Sequence, residues 1–166
     1  MKHFKVGKYD YRRANYTEEW TNIWDALNAY VDENQCWEHY LVEEVRLLDF
    51  AANFLFENDI SKMRVLSLEN NVDDDTASEF EAIHFGLLEH KLEFKNSTII
   101  GFMDAIKLLQ MSLRGMIWAQ LKNCENGAYI AAGDDYYWLI GIPDNIDITQ
   151  FQTEGLYIYE HKDPWE

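Results

Sequence analysis

Residues 98–122 read TIIGFMDAIKLLQMSLRGMIWAQLK, and the fold turns on how this stretch is taken. Apolar residues stand at 99, 100, 102, 103, 106, 109, 113, 116, 117 and 121, a helical recurrence with no proline to break it. Read this way, residues 98–122 form one long helix, roughly 38 Å from end to end at 1.5 Å per residue, which serves as the spine of the domain. Asp104, Lys107, Met111, Arg114, Trp118 and Lys122 then share one polar edge, so Trp118 sits among charges and needs a cover, either another element or a partner. The helix is expected to stop at Cys124-Glu125-Asn126-Gly127, where the glycine accepts the left-handed C-terminal conformation.

The period changes after this stretch. AYIAA and YYWLIGI flank Gly133-Asp134-Asp135, residues that tolerate a tight hairpin, and GLYIYE at 155–160 alternates as a third strand. By alternation, either Tyr137 or Trp138 packs on the spine. Before the spine, Trp20, Ile23, Trp24, Leu27, Tyr30 and Val31 mark a first helix with Thr17 as its N-cap. In a second helix Trp37, Leu41, Val45, Leu48, Ala52 and Leu55 face inward, with Glu43, Glu44, Arg46 and Asp49 in water. KMRVLSL at 62–68 reads as a strand, and residues 77–94 as a helix followed by a strand. The lysine-bearing alternation near Phe4 and Val6 suits an edge strand. Together these predict a single α+β domain spanning residues 1–166, its helices packed on a mainly antiparallel sheet with a C-terminal three-stranded meander.

Charge restricts the partners. The 166 residues carry 30 acidic and 14 basic side chains, a net of −16. Lys2, Lys5, Lys8, Arg12 and Arg13 precede Ala14 with Asp10 to offset them, which leaves 29 acidic and 9 basic residues, a net of −20, from Ala14 onward. Such a surface repels nucleic acid and anionic membranes. An apolar content of 48% argues against a disordered chain. No apolar run approaches the roughly 18 residues of a membrane span, and the first residues lack a signal-peptide core, so a cytoplasmic protein is expected. Cys36 and Cys124 read as free, mostly buried thiols.

Motifs for catalysis are missing: there is no nucleophile elbow, phosphate loop or HExxH. Glu38-His39, Glu89-His90 and Glu160-His161 repeat a dipeptide, but adjacent residues do not converge on one ion. His39 and Glu43 are one helical turn apart and would need further ligands. No metal, cofactor or enzymatic activity is expected. The rival readings are a hydrolase whose Glu43, His39, Asp134 and Asp135 meet in the fold, and an adaptor for some other basic protein.

The candidate binding residues are Asp134, Asp135, Tyr136 and Tyr137 at the hairpin, then Asp73, Asp74 and Asp75 in the most polar loop, and Trp118. Carboxylates beside large aromatics suit a basic partner, the rings as anchors and the carboxylates as acceptors. With the acidic excess after Ala14, these residues give the chain a general character that resembles the immunity proteins of contact-dependent growth inhibition and related polymorphic toxin systems. The resemblance implies a non-catalytic partner that binds a basic cognate toxin domain, a nuclease with an RNase favoured, and covers its active site.

Overall fold

The computed structural model describes residues 1–16, 20–29, 32–71, 95–134 and 136–165. Its elements are β1 (Lys2–Gly7), α1 (Ile23–Ala29), α2 (Glu33–Glu57), β2 (Met63–Asn70), α3 (Phe102–Leu113), β3 (Ile117–Asn123), β4 (Tyr129–Ala132), β5 (Tyr137–Ile142) and β6 (Tyr157–His161). The strands form one antiparallel sheet in the order β2-β3-β4-β5-β1-β6, with α2 and α3 packed against each other and α3 on β3 and β4. The α+β class is therefore as the sequence predicts. Residues 77–94 and Thr17 lie outside the described residues.

The spine helix is not continuous. α3 ends at Leu113, and after a turn at 114–116 the stretch continues as strand β3 from Ile117. Gly115, at φ +72°, takes the left-handed position that a side chain would strain, and two hydrogen bonds close the end: Gly115 N–H to Ser112 O and Met116 N–H to Met111 O. Beyond it Ile117, Ala119 and Leu121 alternate inward, a period of two that an apolar tally over 25 residues blurs into a helical one. Trp118 is thus a strand residue, not part of a helix edge. The glycine that ends the helix is Gly115; Gly127, also left-handed at φ +78°, belongs to the turn between β3 and β4.

α1 starts at Ile23, where Asn22 Oδ1 accepts from Asp25 N–H at 3.0 Å and Asp25 reaches back to Thr21, a reciprocal cap. Asp32 caps α2 by accepting from the N–H groups of Asn34 and Gln35. The inward stripe of α2 is Cys36, Tyr40, Glu44, Leu47, Ala51 and Phe54, rotated from the expected one: Val45 is 54% exposed and Glu44 only 2%. Cys36 is buried as expected, whereas Cys124 lies exposed in the turn after β3.

β1 is interior, not an edge. It pairs with β5 on one side and β6 on the other, which separates β6 from β5; the meander of consecutive strands is β3-β4-β5, and the third C-terminal strand joins across β1. Phe4 and Val6 drive this placement by entering the core. The lysine that suggested an edge is accommodated on the opposite face, where Lys5 Nζ stands 3.6 Å from the centre of the Tyr137 ring.

Glu44 is buried because α3 supplies its partner. Arg114, the C-cap residue of α3 and 3% exposed, donates from Nε and Nη2 to the two Glu44 oxygens at 2.7 Å each, and Gln110 Nε2 donates to the same carboxylate at 2.8 Å. Burial opposes the Arg114 charge, but the bonds to Glu44 outweigh it and hold its pKa above the ordinary value. Substituting Arg114→Met strands a buried carboxylate and should cost about 3–5 kcal/mol in urea unfolding. The double variant Glu44→Leu/Arg114→Met should recover most of that loss.

Candidate partner-binding surface

The hairpin between β4 and β5 is built by two unusual local choices. Gly133 N–H donates to Tyr137 O at 2.8 Å, closing the loop, and the positive φ falls on Tyr136, at +59°. A non-glycine residue there is strained by about 1–3 kcal/mol, and packing must hold it. Tyr136 is 3% exposed, its ring 5.1 Å from Trp20 and 5.5 Å from Tyr40. Gly133 is required for space rather than φ, since a Cβ there would lie 2.0 Å from the Tyr137 ring. The next residue inward, Trp138, is fully buried and donates its indole N–H to Leu47 O of α2 at 2.8 Å, so alternation puts Trp138 on the helices and Tyr137 on the opposite face.

The candidate residues therefore divide. Asp134 is exposed, Tyr136 is a buried wall, and Tyr137 is half-buried beneath Lys5. Trp118 is half-buried, its indole N–H bonded to Ala132 O at 2.9 Å and its ring edge-on to Trp165. Asp73, Asp74, Asp75 and Asp135 lie outside the described residues.

Three of the candidates meet at one pocket. Asp134, Tyr136 and Trp118 line a cavity of about 200 Å³ together with the start of α1 at Asn22 and Trp24 and the end of α3 at Ser112 and Leu113. Asn71 forms a further wall, its side-chain N–H directed to Gly115 O at 3.5 Å and its main-chain N–H to Met116 O at 3.0 Å. At that volume the pocket falls below the roughly 300–1,000 Å³ of a site for a drug-sized ligand and matches a single side chain. Trp24 and Asn22 are the residues that the sequence did not mark, because Trp24 sits at core-like helical spacing; it is 39% exposed at the pocket.

Charge is distributed unevenly between use and display. Lys5 and Lys8 stand over aromatic rings, Arg12 and Arg13 over Asp10, Arg46 over Glu43, Lys62 over Glu125 and Arg114 over Glu44. Asp10 is held well below the usual carboxylate range, first by its bond from Arg12. In contrast Glu38, Asp49, Glu57, Asp104, Asp134 and Glu160 are exposed and make no ion pair among the described residues. No group of three or more His, Cys, Asp or Glu side chains converges among the described residues, and Glu43 is bonded to Arg46. No described helix is long and apolar enough to cross a membrane.

The Tyr40 and Tyr136 hydroxyls are buried near each other and near Glu44, and neither meets the geometry of a full hydrogen bond among the described residues. Burial, then the nearby Glu44 charge, pushes the Tyr40 pKa up, and burial raises Tyr136 likewise. Removing a hydroxyl of this kind costs little, whereas removing the ring empties the site. Tyr136→Phe should thus leave the urea midpoint unchanged or raised, and Tyr136→Ala should lose about 3–5 kcal/mol.

No protein-family model, curated protein or solved structure matches this chain.

Proposed function

We propose that the protein is a binding partner that neutralises a basic toxin domain, a nuclease and foremost an RNase, by covering its active site. The observation that carries this reading is the charge arrangement. Among the described residues, Lys5, Lys8, Arg12, Arg13, Arg46, Lys62 and Arg114 are engaged within the molecule, while carboxylates stand exposed on α2, α3, the hairpin and β6. A nuclease that grips a polyanion offers the complementary basic cleft, and a small inhibitor gains from being drawn to it electrostatically. Asp134 beside Trp118 and Trp24 adds the aromatic and acidic contacts that carry energy at interfaces.

Recovery of tagged protein from its native cells should bring down a basic protein whose toxicity is suppressed by co-expression. In stopped-flow mixing the association rate should fall about tenfold or more between roughly 0.05 and 0.5 M salt, while dissociation changes little. A basic partner without toxicity would assign the protein to adaptors; a rate indifferent to salt would remove the electrostatic basis of the reading.

A further inference from the structure

We infer that the pocket beside the hairpin receives one arginine side chain of the basic partner, an inference that deepens the partner-binding reading and rests on it. Four properties of the cavity point to a guanidinium. Three of its lining residues are aromatic, Trp24, which is 39% exposed, Trp118 and Tyr136, and aromatic rings attract cations. Its one charged lining residue among those described is Asp134, which is exposed and makes no ion pair among the described residues. The C-terminal end of α3 forms another wall through Ser112, Leu113 and Gly115, and a helix C-terminus carries partial negative charge. Arg114, which could cancel that charge, turns inward onto Glu44 instead.

The remaining polar walls fit the same guest. Asn71, its amide N–H directed to Gly115 O, brings an amide oxygen that can accept from a planar five-donor group, and Asn22 Oδ1 keeps a second lone pair beside its cap bond from Asp25 N–H. An anion finds no lysine, arginine or histidine among the described lining residues. The pocket is also held in shape before any guest arrives: the Trp118 indole is anchored on Ala132 O, and Tyr136 is wedged between Trp20 and Tyr40. An arginine suits such a lining better than a lysine, because a flat guanidinium can stack on a ring while its edge donates to a carboxylate.

The test uses the full ¹⁵N-labelled chain and two small probes, N-acetyl-arginine methylamide and its neutral isostere N-acetyl-citrulline methylamide. The indole N–H signals of Trp24 and Trp118 are assigned from the Trp24→Phe and Trp118→Phe variants. The arginine probe should shift both signals saturably in the millimolar range, and the citrulline probe should not. Asp134→Asn, a substitution of an exposed side chain that leaves the rest of the spectrum in place, should weaken the arginine probe about fivefold. Equal binding of the citrulline probe, no loss with Asp134→Asn, or shifts confined to other indoles would overturn the pocket assignment. The two readings separate cleanly. A basic toxin captured with affinity unchanged by Asp134→Asn and Trp24→Leu overturns the pocket and leaves the partner; arginine binding with no basic partner recovered overturns the partner and leaves the pocket.

Discussion

Glu44 and Arg114 form a two-pronged ion pair that water scarcely reaches, and the placement of the hairpin depends on it. Burying two charges costs several kcal/mol per ion before their attraction returns it, so such a pair is a poor source of net stability. Its geometry does something else. Arg114 is where α3 stops, so its bond to the middle of α2 fixes the point at which the chain turns through Gly115 into β3. One helical turn along α2 from Glu44, Leu47 O receives the Trp138 indole, which registers β5 on the same helix. α2 is consequently the element against which both the end of α3 and the hairpin are aligned, and the pocket lies between them.

The same cluster explains how a tyrosine survives at positive φ. The Tyr136 ring lies against Tyr40 and Trp20, close enough to Glu44 and Arg114 that their charges act on its hydroxyl. Burying a ring of that size contributes more than the backbone strain of about 1–3 kcal/mol takes away. Asp134 is thereby held two residues from a fixed point rather than at the tip of a loose loop.

Sequence patterning made the element types legible where one period persisted. The hairpin at Gly133, the strand near KMRVLSL and the long α2 all follow from local repeats. It failed where two periods met: apolar residues at 113, 116, 117 and 121 satisfy a helix and a strand alike, and Gly115 was the signal that separated them. Glu44 was unreadable for a different reason, since its partner lies 70 residues away and a charged residue is assigned to water until that partner is known. β1 was misplaced because lysine signals an edge only when no ring is available to receive it, and Tyr137 is. In the site, Asp134 and Trp118 were legible as residues of the right chemistry, but their meeting with Trp24 was not, because it depends on how α1 docks.

Surface charge and pocket chemistry act over different ranges, and this decides how they divide the work of recognition. At physiological ionic strength a charge is screened within about 8 Å, so the exposed carboxylates of α2, α3 and β6 raise the encounter rate collectively and are weak as individual contacts. Inside the pocket a guest group leaves water and meets rings, a carboxylate and a helix end at contact distance, where each interaction is stronger. On the proposed reading, encounter with a basic partner is governed by the −16 net charge as a whole, and residence by the few groups around Asp134. A surface organised in this way tolerates the exchange of almost any single exposed carboxylate. A shift of the hairpin would move Asp134 itself, so on the proposed reading the buried pair at Glu44 acts on binding by positioning although it lies away from the surface.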